Sequence, residues 1–243
     1  MYELFGTGSP NVLKIVMMLE ELEAPYSFKF INTWKGEQFS DAFTSISPNA
    51  KVPVLADRSD DANATYIFES GAILIHLAEK AGAFLGGGNP QKRSEILQWL
   101  IFQVANIGPT MGQFGHFAQV EPEASDYARR RFASETVRLL DVIEQRLERS
   151  AYLGCDEYSI ADIATFPWIF VAQTAGFPLD GRPALARWMH AIGDRPATAR
   201  ALVKAKELRG HGEELRAAAT DEDKDRLFRR GAFDRTPPSM TPA

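Results

Sequence analysis

Two short stretches of the sequence combine residue types suited to holding negative charge. The first is Ser9-Pro10-Asn11, which opens a run with apolar residues at Val12, Ile15, Val16, Leu19 and Leu22. That spacing predicts a helix. Ser9 suits the N-cap, and Pro10 suits the first helical position, where its missing N–H costs nothing. The free amides and dipole of such a helix start favour an anion, and the Ser9 hydroxyl and Asn11 amide can both donate to one. Neither is a base. Taken locally, Ser9 reads equally well as a plain cap and Asn11 as a polar first-turn residue. The second stretch is Glu69-Ser70, where a short strand gives way to an apolar helix. A cap there also makes an anion site, with Glu69 placed to face a cation.

Other chemistries find little support. Cys155 is the single cysteine, so an internal disulfide and a dithiol redox pair are both excluded. It reads as a small loop or filler residue. Four histidines, none close to another, give no metal-ligand spacing, and no metal is expected. A net charge of −5 argues against a nucleic-acid partner. No apolar run approaches the roughly 20 residues of a membrane span, and the N-terminus lacks the pattern of an export signal. The expected location is the cytoplasm.

The elements that must position these residues fall into two groups. Tyr2 to Phe5 and Tyr26 to Ile31 read as strands around the first helix, and Val52 to Ala56 and Tyr66 to Phe68 as two more. The polar run Ser59 to Ala64 suits a hairpin connection. Ser70 to Ala81 predicts a helix capped by Ser70 and stopped by Gly82. This β-α-β, β-β-α order predicts a small mixed sheet with helices on it, at about residues 1–82. An all-helical domain is expected over about 90–210, with the Arg93 to Ile107 helix interrupted or kinked at Pro109 and Gly112. Ser159 and Asp162 have capping-box spacing. In the polar tail, 211–243, Thr220 to Asp223 can cap a short helix carrying Leu227 and Phe228, and the end from Pro237 to Ala243 is expected to fray.

Four features together resemble the cytosolic glutathione transferases across nearly the whole chain. They are Ser9-Pro10-Asn11; Ser47-Pro48-Asn49-Ala50-Lys51-Val52-Pro53-Val54-Leu55; Phe68-Glu69-Ser70-Gly71-Ala72-Ile73; and Tyr158-Ser159-Ile160-Ala161-Asp162. Trp34 to Phe39, Gln98-Trp99-Leu100, Gly108 to Gln113 and Leu227-Phe228 resemble the bacterial Nu class, which includes disulfide-bond reductases. Ser9 stands where that class commonly has threonine. Gln113 to Phe117 departs from its run of polar residues ending in paired histidines.

The resemblance implies a thioredoxin-like domain followed by the family's helical domain, a homodimer, and glutathione as substrate with a small electrophile or disulfide. It further implies that Pro53 is cis and turns the Val52 backbone toward the cysteinyl unit. Glu69 and Ser70 take the γ-glutamyl end, Gln38 and Lys51 the glycyl end, and Arg131 the neighbouring subunit's glutathione. Ser9 and Asn11 then stabilise the thiolate. Met111, Phe114, His116 and Phe117 are candidates for a co-substrate pocket, and Phe166 for the same pocket or for core. With no cysteine in the first domain, disulfide reduction would use the thiolate of glutathione itself. Conjugation, thioether cleavage and a non-catalytic binding role remain open.

Overall fold

In a computed structural model, which describes residues 1–59 and 63–237, strands β1 (Tyr2–Gly6), β2 (Tyr26–Phe30), β3 (Val54–Asp57) and β4 (Thr65–Phe68) form one sheet in the order β2-β1-β3-β4. β1 and β2 are parallel, with Tyr2 opposite Tyr26, while β3 runs antiparallel to both β1 and β4. Helix α1 (Pro10–Glu21) makes the crossover between the parallel strands. A short helix α2 (Asp41–Thr44) precedes β3, and α3 (Ser70–Ala81) follows β4. The predicted mixed sheet is therefore present. The end of the hairpin run beyond Ser59, through residue 62, and the chain end from residue 238 onward lie outside the described residues.

The rest of the chain is helical. It comprises α4 (Pro90–Phe102), α5 (Gly108–Gly115), α6 (Asp126–Leu147), α7 (Ile160–Thr174), α8 (Pro183–Gly193), α9 (Pro196–Ala217) and α10 (Asp221–Phe228). Wide π-helical turns at Gln103–Ile107 and His116–Val120 flank α5. They let the chain pass Pro109 without breaking, where an interruption or kink was expected. Another difference concerns α9, which continues past residue 210, the expected end of the helical domain, despite Gly210 and Gly212. Tertiary contacts outweigh the low helix propensity of glycine there. The His211 ring packs edge-on to Phe30 at 4.5 Å, and the Arg216 guanidinium lies over Trp34.

The core explains this arrangement. Every residue of α1 from Val12 to Leu19 is buried, as expected of a helix enclosed on all sides. α1 packs against α3, α7 and α9, and one apolar cluster runs through both halves of the molecule. A smaller cluster, Phe5, Ile31, Phe43, Val54 and Ala56, covers the other sheet face. Two arginines of the helical half fasten α1 from outside: Arg195 forks onto Glu21 at 2.6 and 2.8 Å, and Arg200 meets Glu20 at 2.6 Å.

Where α7 begins, Ser159 and Asp162 form the capping box that the sequence predicts. The Asp162 carboxylate, fully buried, accepts from Leu153 N and Trp188 Nε1 at 2.8 Å and from Ser159 N and Oγ at 3.0 and 2.9 Å. No helix among the described residues is long and apolar enough to cross a membrane.

The loop into α1 touches α9 at close range. A Cβ on Gly8 would lie 2.9 Å from backbone atoms of Leu208 and Arg209, which cannot rotate away as a side chain would. Gly8→Ala is expected to cost about 1–3 kcal/mol through overpacking, read as a lower urea midpoint with an unchanged m-value.

Candidate functional site

A cleft of about 380 Å³ opens between the two halves, within the roughly 300–1,000 Å³ typical of small-molecule sites. Asn11, Lys51, Val52, Pro53, Glu69 and Ser70 line it from the first half. Gln103, Val104, Gly108, Gln113 and Trp168 line it from the second.

Asn11 stands in the first turn of α1. Its Oδ1 accepts a hydrogen bond from Trp168 Nε1 at 3.1 Å. Indole nitrogen can only donate, so this contact fixes the amide and leaves Nδ2 as the group available for donation. Asn11 thus offers an N–H beside the free amides of a helix start, where negative charge is favoured. On the opposite wall the Val52–Pro53 peptide bond is cis. Val52 sits just ahead of β3, before the strand pairs with β1 and β4.

The third wall differs from expectation in one respect. Glu69, not Ser70, is the N-cap of α3, with φ 68° and ψ 116°. Positive φ at a bulky residue is costly, about 1–3 kcal/mol, and such strain concentrates at functional sites. Asn49 Nδ2 donates to Glu69 Oε1 at 3.4 Å. Ser70 is the first helical residue, and its Oγ accepts from Lys14 Nζ at 3.1 Å. The cleft therefore brings a carboxylate, a hydroxyl and helix-start amides to one end. That combination suits a ligand carrying both an ammonium and a carboxylate.

Other residues expected at the site lie elsewhere. The side chain of Ser9 caps α1, its Oγ accepting from Val12 N at 3.3 Å, and the residue lines a separate crevice of about 30 Å³ beside Leu208 and Arg209. Gln38 is buried, donating from Nε2 to Thr33 O at 3.2 Å, and so braces its own loop. Arg131 is exposed on α6 and paired with Glu135.

The aromatic segment does not line this cleft. Met111 is buried in the core, Phe114 packs edge-on to Phe177, His116 touches Phe117 and Phe228, and Phe117 stacks on Phe132. Gly108, Pro109, Gly112 and Gln113 present the cleft-facing side of α5 instead, as helical neighbours three and four apart do. Phe166 and Cys155 are core residues. The tail helix α10 is capped within Thr220 to Asp223 as expected, by a capping box of Thr220 and Asp223. It lies against the first half, with Lys35 to Asp223 at 2.6 Å and Phe228 edge-on to Trp34.

Lys14, Gln103 and Trp168 are among the cleft residues that escaped sequence reading. The signal for Lys14 was present, a lone lysine amid the apolar run of α1.

Comparison with known proteins gives this geometry a family. The sequence model of the glutathione S-transferase N-terminal domain matches residues 2–79, and that of the C-terminal domain matches 126–191. The disulfide-bond oxidoreductase YfcG of Escherichia coli is 43% identical over 208 residues, covering 85% of this chain and 96% of that protein. A glutathione transferase from Burkholderia graminis, solved with two glutathione molecules bound per subunit, superposes with TM-score 0.76 at 37% identity, over 83% of this chain and 87% of that one. A Pseudomonas putida glutathione transferase, solved with one glutathione disulfide per subunit, also gives 0.76, at 35% identity over 83% and 90%. By both its domains and its similarity to these relatives, the chain belongs to the glutathione S-transferase family.

Proposed function

We propose that the protein is a glutathione-dependent disulfide reductase of the Nu type, in which the cleft holds glutathione and Asn11 steadies its thiolate. The observation that carries this reading is the assembly of the Asn11 amide, the Val52–Pro53 backbone and the Glu69–Ser70 helix start around one cleft. The γ-glutamyl carboxylate meets Ser70 and the α3 amides, and the ammonium meets Glu69. The cysteinyl backbone pairs with Val52 like an added strand, and Lys51 attracts the glycyl carboxylate.

The sulfur then lies at the start of α1. A free thiol has a pKa of about 8.5, so lowering it is the main service that the site can render. The bound thiolate attacks a mixed disulfide of glutathione and another thiol. One S–S bond forms between two glutathione sulfurs, and the original S–S bond breaks. The released thiolate takes its proton from water. Binding of two glutathiones or one glutathione disulfide in relatives supports a cleft of suitable size. In a homodimer, Arg131 of one subunit reaches the other's cleft; the exposed Tyr66, Phe68 and Ile101 supply apolar surface for such a contact.

A non-catalytic binding protein on the same fold is the second reading. It is favoured by the position of Ser9, which caps α1 and does not line the cleft. Ultraviolet absorbance of bound thiolate, titrated with pH, separates the two. A depressed thiol pKa with turnover of a mixed glutathione disulfide supports the reductase. A normal pKa without turnover supports the binder. Faster turnover of a chloronitroaromatic than of the disulfide would move the assignment to conjugation.

A further inference from the structure

Lys14 has no place in the reaction above, yet it is the least expected residue of the site. It is 1% exposed, within the apolar run of α1, and still borders the cleft. Its Nζ donates to Ser70 Oγ at 3.1 Å and to Gln103 Oε1 at 2.6 Å. An ammonium has donors only, whereas a serine hydroxyl and a glutamine amide can each present either a donor or an acceptor. Bonding to Lys14 removes that choice. The Ser70 oxygen is engaged, so its hydrogen points elsewhere. The Gln103 oxygen is engaged, so Nε2 is the end left over. That Nε2 is fully buried and has no hydrogen-bond partner among the described residues. It lies beside Gly108 on the cleft wall, where a Cβ would come within 3.3 Å of it.

We propose that Lys14 is a positioning residue for the carboxylate end of the ligand, its buried ammonium locking Ser70 and Gln103 into donor orientations and placing a positive charge behind the start of α3. This rests on the glutathione reading and adds to it the residue that reads the γ-glutamyl α-carboxylate from beneath. A buried charge is costly unless it is paired, and its present partners are neutral. Burial accordingly pushes the Lys14 ammonium down to about 7, opposed by Glu69.

Glu69, on the α3 side, is the charged group that acts on Lys14. The groups that meet it from α3 and from the π-turn, Ser70 and Gln103, are uncharged. Arg195, just ahead of α9, and Arg200 on it are engaged by Glu21 and Glu20. A ligand carboxylate arriving at Ser70 supplies the missing counter-charge. Binding therefore favours protonated Lys14, and proton uptake accompanies it near pH 7.5.

Titration calorimetry on the full chain tests this, using S-methylglutathione, which has no ionisable thiol, and its analogue lacking the γ-glutamyl α-carboxylate. Wild type is expected to bind the first about tenfold or more tightly than the second, as loss of a charged hydrogen bond implies. Lys14→Met should erase most of that difference while leaving affinity for the analogue nearly unchanged. Runs in buffers of different ionisation enthalpy should show proton uptake with S-methylglutathione and none with the analogue. This wild-type measurement decides the matter even if the variant does not fold. Equal weakening of both ligands in Lys14→Met, or equal proton uptake for both in wild type, overturns the role of Lys14 but spares the glutathione site. Failure of wild type to bind either ligand overturns both.

Discussion

Replacing Asp162 by alanine is expected to lower the free energy of unfolding at pH 7 by about 3–5 kcal/mol. Four donors converge on this carboxylate from three places: Leu153 N before α7, Ser159 N and Oγ at its start, and Trp188 Nε1 on α8. Removing the acceptor strands several of them in a site without water access. Each orphaned buried donor costs about 1–3 kcal/mol, a large share of a typical net stability of about 5–15 kcal/mol. Urea titration checks the size of the loss, and a loss below about 1 kcal/mol would count against the box as a keystone of the helical half.

The pH dependence has a definite sign. Burial pushes the Asp162 carboxyl up to about 6 despite those four donors, whereas an unfolded aspartate titrates near 3.9. The folded state therefore binds this proton more tightly. The associated stability is fully present below about pH 4 and is lost as pH rises through about 6. The gap between wild type and Asp162→Ala should accordingly be widest in acid and narrow over that window. Melting curves of the pair from pH 4 to 7 cancel the other carboxylates and isolate this one.

Asn11→Ala is expected to reduce kcat/KM for glutathione-dependent disulfide reduction by about 10- to 100-fold, on the order of what one hydrogen bond to a charged group supplies. The thiol of bound glutathione should titrate at higher pH in the variant, so the alkaline rise of the rate moves upward. One pKa unit corresponds to about 1.4 kcal/mol, the same scale as the rate loss. Ser9→Ala serves as the contrast. Its Oγ caps α1, so a stability loss of about 1 kcal/mol with a much smaller rate effect is expected. If the two variants fell equally in rate, or Asn11→Ala matched wild type, Asn11 would not be the thiolate donor.

These expectations draw unequally on sequence and structure. The succession of strands and helices along the first half followed from alternation and from Gly and Pro punctuation, and the Ser159–Asp162 box from a spacing of three, because both signals are local. Asn11 and Glu69 were visible for the same reason: each stands at a helix start whose chemistry is written in adjacent residues. Gln103 was not. It reaches the cleft because α4 opens into a π-turn, and a period of 3.6 carries no sign of a widened turn. That turn also sets the phase of α5, so that Gly112 and Gln113 face the cleft and Met111 and Phe114 face inward. Gln38 was misplaced for a related reason: its loop folds into two single 3₁₀ turns, Thr33–Lys35 and Glu37–Phe39, that bury the side chain. Trp168 sits on a helix that is apolar on nearly every side, where periodicity cannot single out the one face that meets Asn11.

The enclosure of α1 has an evolutionary corollary. Although it is encoded near the start of the chain, the helix is walled by α7 and α9 as well as by α3. A gene fragment ending at the glycine-rich joint, Gly86 to Gly88, would carry Asn11 but leave half of that helix unsheltered and prone to aggregation. Recombination can therefore exchange the halves of such proteins only when the incoming helical half brings a matching groove. Lineages are expected to diversify by altering residues on the cleft rim rather than by reshuffling the halves.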